Sequence, residues 1–221
     1  MVLKQLSIVG QEIRKMNKEN FFSSVRTDLF GSLTQSQVDG INTILDCIKE
    51  LPTNMQAYIL ATAYHETAKT MQPISEYGKG KNYPYGRWKT NSKGQKYCYK
   101  SGSKAGIYTF EEYTNLYYGR GYVQLTWFSN YELATKKLQD AGVLTKEQSL
   151  LVNPELANDP KIAAYIMKHG MLGGWFTGRA LHHYFSDTLS DYVNARRIIN
   201  GTDQKDLIAG YAKKFEKALQ S

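Results

Sequence analysis

Only two cysteines occur in the 221 residues, Cys47 and Cys98, so at most one disulfide is available and the multi-bridge frameworks of small secreted domains are excluded. Cys47 falls on the apolar side of a helical pattern, where a free thiol behaves as a small hydrophobe, and both cysteines are expected to be reduced. No apolar run approaches the roughly eighteen residues that span a bilayer, which excludes an integral membrane segment. The opening Met1-Val2-Leu3-Lys4-Gln5 lacks the apolar core and small-residue end of a signal peptide, so no export signal is expected. Metal-ligand patterns are missing too. His65-Glu66 invites a zinc reading, but a zincin helix needs a second His three residues after the Glu, and position 69 is Lys. His182 and His183 are adjacent and point to different sides of any regular element. No Gly-rich or electropositive elbow marks either cysteine as a nucleophile.

Acidic residues are absent from one stretch. Between Lys79 and Lys104 eight basic residues (Lys79, Lys81, Arg87, Lys89, Lys93, Lys96, Lys100, Lys104) stand without a single Asp or Glu, and elsewhere twenty basic residues balance twenty acidic ones. This segment therefore carries the whole formal charge of +8. Tyr83, Tyr85, Trp88, Tyr97 and Tyr99 are interleaved with the cations. Such a mixture stacks on sugar rings or bases while the charges attract an anionic polymer, nucleic acid or cell wall. The bland alternative is a solvated loop whose tyrosines cover the edge of the core.

What is present is enough for a substantial core: 42% of residues are hydrophobic, and the length fits one domain, 1–221, of two lobes. Thr34-Gln35-Ser36-Gln37 has the spacing of a capping box, after which Val38, Ile41, Leu45 and Ile48 recur at helical intervals until Leu51-Pro52. Thr53 to Gln56 repeats the capping pattern, and a second helix is expected from about Asn54 to Lys69. It sets Ile59, Ala63 and Glu66 on one face. A carboxyl group sharing an apolar face is partly desolvated, the condition a general acid needs. From Met71 to Gly106 the helical period disappears. Asn91-Ser92-Lys93-Gly94 reads as a turn and Tyr97-Cys98-Tyr99 as a short strand, so a small β-hairpin or ribbon is expected, with an insertion spanning about 79–106. Helix returns from Val123 to Leu138. Asn153-Pro154 and Asn158-Asp159-Pro160 announce another that ends at Gly173-Gly174, and Tyr192–Ile199 and Leu207–Leu219 form the last two around the turn Asn200-Gly201-Thr202-Asp203. Lys213, Lys214 and Lys217 make the final helix amphipathic, and packing on the core is favoured over lipid. The expected architecture is mainly α with a small β element beside a cleft.

Two carboxylates and a hydroxyl stand out as chemistry: Glu66 in Ala63-Tyr64-His65-Glu66-Thr67, an isolated Glu76, and Thr126 in Gly119-Arg120-Gly121-Tyr122-Val123-Gln124-Leu125-Thr126-Trp127. One carboxylic acid to protonate a leaving oxygen and a second carboxylate, helped by a hydroxyl, to activate water is the outfit of glycoside hydrolysis. The glycines around Arg120 are read as structural, with Arg120 pairing a buried carboxylate to fix the lobes.

His65-Glu66-Thr67, then Gly119-Arg120-Gly121 with Gln124-Leu125-Thr126-Trp127 and Asn130-Tyr131, then Ile198-Ile199-Asn200-Gly201, resemble the ordered motifs of family 19 glycoside hydrolases over about Thr34 to Leu219. That family includes plant and bacterial chitinases and a group of phage endolysins, and the short spacing between the acidic residues is similar to the endolysin branch. The resemblance implies an α+β, lysozyme-like fold with two helical lobes flanking a cleft. It makes Glu66 the general acid, Glu76 the general base and Thr126 the residue that helps hold the attacking water. It assigns the sugar site to His65, Gln124, Asn130, Tyr131 and Asn200, with Arg197 in the adjoining charge network. Plant chitinases carry the second carboxylate farther downstream, so Glu111 and Glu112 are the fallback to Glu76. The implied activity is inverting hydrolysis of β-1,4 bonds in bacterial peptidoglycan, a muramidase of endolysin type, without metal or organic cofactor. A monomer is expected, held in the host cytoplasm before lysis, with peptidoglycan glycan strands as its partner and no role for nucleic acid. The alternatives are a chitinase on the same scaffold, a lytic transglycosylase that needs one acid only, and a noncatalytic wall-binding or nucleic-acid-binding module built on the basic segment.

Overall fold

A computed structural model describes residues 16–221. The expectation drawn from Met1 to Gln5 lies outside the described residues. Helix α1 (Lys18–Val25) starts where the Asn17 side chain accepts the Asn20 N–H, and a π-helical turn, Arg26–Phe30, follows it. Helix α2 (Gln35–Ile48) begins at the expected capping box: Thr34 Oγ1 accepts the Gln37 N–H at 3.2 Å, and Gln37 Oε1 accepts the Thr34 N–H at 2.9 Å. Its Ile41, Ile44, Leu45 and Ile48 are buried.

Helix α3 (Thr53–Glu66) is buried continuously from Ala57 to Tyr64. The second capping box does not form. Pro52 is the cap residue and offers no side-chain bond, Gln56 Nε2 donates instead to the Leu51 carbonyl at 2.7 Å, and Asn54 Nδ2 ties the helix start to the carbonyls of Ser186 and Leu189. The helix also stops at Glu66 rather than Lys69. Thr67 closes it by donating to the Ala63 carbonyl and accepting the Met71 N–H, and Ala68 and Lys69 then take positive φ.

Helix α6 (Lys205–Leu219) packs along α3, with Tyr64 edge-on to Tyr211 and Phe215 at 4.8 and 5.9 Å between ring centroids. Helix α5 (Pro160–Gly173) packs along α2; Asp159 caps it by accepting the N–H groups of Lys161 and Ile162, and Gly174 ends it at φ +67°. Between Val193 and Ile199 the chain forms a 3₁₀ helix, Asn194–Ile198, shorter than the helix expected there. No helix among the described residues is long and apolar enough to cross a membrane.

Helix α4 (Phe128–Asp140) starts five residues later than the apolar pattern indicated. Gln124 and Trp127 adopt φ of +52° and +76°, and Leu125 turns back to exchange both backbone hydrogen bonds with Arg120. The motif is thus a folded-back loop and not a first helical turn.

Two small antiparallel sheets complete the fold. Strand β1 (Ile74–Ser75) pairs with β5 (Arg120–Gly121), and β2 (Lys89–Thr90), β3 (Lys96–Tyr99) and β4 (Ile107–Thr109) form a three-stranded sheet in that order. The turn at Asn91–Gly94 is as expected, with Asn91 Oδ1 accepting from Lys93 and Gln95 and Gly94 at φ +80°. β4 was not legible in the sequence. Cys98 and the paired Tyr108 face inward and are buried, and both cysteines are free. Tyr108, Tyr117, Phe128 and Tyr131 form an aromatic cluster that joins this sheet to α4 within one hydrophobic core.

Candidate active site

A cleft of about 320 Å³ opens between the end of α3, the folded-back loop and the turn after the 3₁₀ helix. Glu66, Gln124, Thr126, Asn130 and Asn200 line it together, along with Tyr85, Trp127 and Phe176. Residues from five distant segments therefore meet at one concavity, and five of the nine residues singled out in the sequence are among them.

Glu66 occupies the last residue of α3 with its side chain 15% exposed. Apolar neighbours are only part of its setting. The Arg196 guanidinium, 4% exposed, donates from Nη1 to Glu66 Oε1, while Arg196 Nε donates to the Asp203 carbonyl at 3.0 Å. Arg196 sits in the 3₁₀ helix that leads into the cleft residues Ile199 and Asn200, and holds the carboxylate from there. This corrects the assignment of Arg197 to the charge network: Arg197 is exposed and makes no ion pair among the described residues. Two neighbouring arginines in a segment of ambiguous helical period gave no sequence signal to separate them.

Glu76 follows β1 directly. Its backbone N–H bonds the Gly119 carbonyl at 2.7 Å, and its Oε2 accepts the Gly119 N–H at 3.1 Å. Tyr85, itself in the cleft wall, donates its hydroxyl to Glu76 Oε1 at 3.0 Å. Burial and then the Glu76 charge push the Tyr85 phenol above its ordinary value, so the hydroxyl keeps its proton and remains a donor. Two donors from different loops therefore fix the orientation of this carboxylate.

Thr126 Oγ1 donates to the Gln124 carbonyl at 2.7 Å, which leaves its lone pairs free to accept. Asn130 Nδ2 donates to the Thr126 carbonyl at 2.8 Å. Gln124 lines the cleft, but its amide donates to the carbonyls of Ile74 and Gly121 at 3.0 and 3.1 Å, so it pins β1, and with it Glu76, to the loop. Gly119 permits this approach, since a Cβ there would lie 2.7 Å from Gln124 Oε1.

Two further assignments are corrected. Tyr131 is fully buried; its hydroxyl donates to the Tyr118 carbonyl at 2.8 Å and accepts from Arg120, which removes it from any sugar contact. His65 is half-buried beside Glu66, Arg196 and Asp203 and is not in the cleft wall; burial holds its imidazole below the ordinary value. Glu111 and Glu112 are exposed, and Glu112 caps the turn by accepting the Thr109 N–H. Arg120 does anchor the loop as expected: Nε bonds Glu155 Oε1 at 2.8 Å, and the guanidinium lies 3.7 Å above the Tyr118 ring centre. The partner carboxylate is largely exposed, not buried. Sequence reasoning missed Arg196, Tyr85 and Phe176. Of these only Tyr85 carried a signal, as an aromatic within the basic segment.

The fold that carries this cleft is chitinase-like, mainly helical with small sheets at one side, in agreement with the architecture expected from the motifs. The chain resembles the crystal structure of chitinase C from Streptomyces griseus HUT6037, with a TM-score of 0.55 and 20% identity over 96% of this chain and 78% of that one. A glutamate-to-glutamine mutant of chitinase C gives a TM-score of 0.51 and 22% identity over 96% and 77%. No protein-family model and no curated protein matches the chain.

Proposed function

We propose that this protein is a glycoside hydrolase that cleaves β-1,4 bonds of bacterial peptidoglycan by an inverting, two-carboxylate mechanism, a muramidase of the phage endolysin type. The observation that carries the reading is the meeting of Glu66, Thr126 and Tyr85 in one cleft of a chitinase-like fold, with Glu76 held behind that wall by the Tyr85 hydroxyl. Glu66, ion-paired with Arg196 in the free protein, acts as general acid once it has taken up a proton from solvent, and gives that proton to the glycosidic oxygen as the bond to the anomeric carbon breaks. A water on the opposite face of the ring adds to that carbon and loses its proton to Glu76, so the two carboxyl groups exchange protonation states and reset through solvent. Thr126, whose hydroxyl proton is committed to the Gln124 carbonyl, accepts a hydrogen bond from that water. Asn130 and Asn200 offer amide groups to the sugar's hydroxyl and acetamido substituents. The uncompensated cations of residues 79–104 favour a wall polymer that bears carboxylates over a neutral one.

Chitin hydrolysis in the same cleft is the second reading, favoured by the likeness to chitinase C. Mass spectrometry of products separates the cases. Purified peptidoglycan and chitin oligomers are digested with the parent, Glu66→Gln and Glu76→Gln proteins. Reducing-end muropeptides lost in both variants are expected. Anhydro products that survive Glu76→Gln would mean a transglycosylase, release from chitin alone would make it a chitinase, and no product from either polymer would sink the hydrolase reading.

A further inference from the structure

Alternation along the three-stranded sheet places Lys89, Tyr97, Tyr99, Ile107 and Thr109 on the face opposite the buried Cys98 and Tyr108. Tyr97 and Tyr99 lie edge-on with ring centres 5.8 Å apart, and the Lys89 ammonium is 4.8 Å from the centre of the Tyr99 ring. Ile107, 46% exposed, extends the apolar part of this face. None of the eight basic residues from Lys79 to Lys104 enters an ion pair among the described residues, so their field is uncompensated locally. Of the carboxylates that flank the segment in sequence, Glu76 accepts from the Tyr85 hydroxyl and the Gly119 N–H, and Glu112, beyond β4, accepts the Thr109 N–H. Aromatic rings beside free ammonium groups match a sugar ring that carries a carboxylate: the ring packs on the tyrosines and the anion meets the lysines.

The sheet is also continuous with the cleft. Cys98 Sγ donates to the carbonyl of Pro84, the residue before Tyr85, and the Lys100 carbonyl accepts the Ser129 N–H at the start of α4, next to Trp127. Within the cleft wall Tyr85 meets Trp127 edge-on at 5.1 Å, and Tyr83, 53% exposed, stacks on Tyr85 at 5.2 Å. Aromatic surface thus runs from the cleft out to its rim on the side of the sheet.

We infer that the outer face of this sheet is a second binding surface, which holds a carboxylate-bearing glycan strand outside the cleft. The inference rests on the hydrolase reading for the identity of the glycan, and its test is separable from that reading. The attachment of this sheet to the wall of a sugar-sized cleft favours a glycan over a nucleic acid, for which cations and tyrosines also serve. Binding is measured by co-sedimentation with insoluble peptidoglycan, the same material after amidation of its carboxyl groups, and single-stranded DNA as a third arm, all in a Glu66→Gln background that prevents turnover. The substitutions Lys89→Gln, Tyr97→Ser and Tyr99→Ser together are expected to weaken retention on peptidoglycan about tenfold, the size of one or two lost aromatic or charge contacts. Amidated wall should bind the parent as weakly, and added salt should erase the difference. Lys89→Glu alone, which leaves both rings in place, guards against collapse of the sheet and should lose retention in the same direction. In an otherwise unchanged chain these substitutions should leave cleavage of short soluble oligosaccharides at the parental rate. Equal retention of parent and variants, indifference to amidation, or a loss confined to the DNA arm overturns the inference. Failure of the parent to cut short oligosaccharides overturns the hydrolase reading instead and leaves the binding result legible.

Discussion

Removing the charge of Glu66 should make the protein less stable, the reverse of what replacing a proposed catalytic carboxylate commonly does. The reason is its partner. Arg196 is 4% exposed and Glu66 15%, so Glu66→Gln leaves a guanidinium in the interior with only neutral acceptors, the new amide oxygen and the Asp203 carbonyl. Deleting one member of such a pair costs about 3–5 kcal/mol, and the residual exposure of Glu66 argues for the lower end, about 3 kcal/mol. For a chain of this length that is a fall of roughly 6–12 °C in the unfolding midpoint. Glu76→Gln supplies the contrast. Glu76 has no cationic partner among the described residues, and its bonds from the Tyr85 hydroxyl and Gly119 N–H are replaced in part by the amide oxygen, so about 1 kcal/mol is expected. The assay is thermal unfolding followed by circular dichroism at neutral pH, repeated with urea. Adding Arg196→Met to Glu66→Gln should recover most of the loss, because the orphaned charge is gone. A Glu66→Gln protein as stable as the parent, or no less stable than Glu76→Gln, would refute the reasoning.

Other perturbations follow from the same contacts. Tyr85→Phe removes one of the two donors that orient Glu76 and should lower kcat about tenfold while KM stays within about twofold; a change in KM alone would remove Tyr85 from this role. Gly40→Ala puts a Cβ 1.8 Å from the Met71 carbonyl oxygen, where α2 crosses the turn after α3, and should cost about 2–3 kcal/mol in urea unfolding; a neutral result would mean that the crossing is looser than described. Burial holds His65 and His169 below the ordinary imidazole value of 6.5, with Glu66 and Glu50 respectively pulling the other way. The unfolded chain therefore binds protons first, and the contribution of these residues is full above 6.5 and lost as pH falls through and below it. Replacing both with Gln should flatten the decline in urea stability between about pH 7 and 5, and an unchanged slope would exclude them as its source.

Much of the helical frame was legible because its signals are local. The Thr34 box, the Asp159-Pro160 start and the Gly174 stop each act within one turn of the backbone they organise. The apolar period failed at Val123–Trp127, where Gln124 and Trp127 accept positive φ in return for tertiary hydrogen bonds that no window of sequence displays. The same distance in sequence hid the tie between Tyr85 and Glu76 and the choice of Arg196 over Arg197. Tyr131 was misjudged for a related reason: its motif marks it, but its hydroxyl serves the buried Arg120. A motif fixes which residues recur together, while burial decides which of them touch the solvent side of a cleft.

The two carboxylates of the proposed mechanism are secured very unequally. Glu66 ends a helix buried along most of its length and packed on α6, whereas Glu76 hangs from a two-residue strand, one side-chain amide, one hydroxyl and one backbone N–H. Local opening draws on the region with the fewest buried contacts, so the Glu76 segment has the lower threshold for release. On warming, a molecule of this build loses the alignment of Glu76 while the helices are intact, so that an activity depending on it fades before melting.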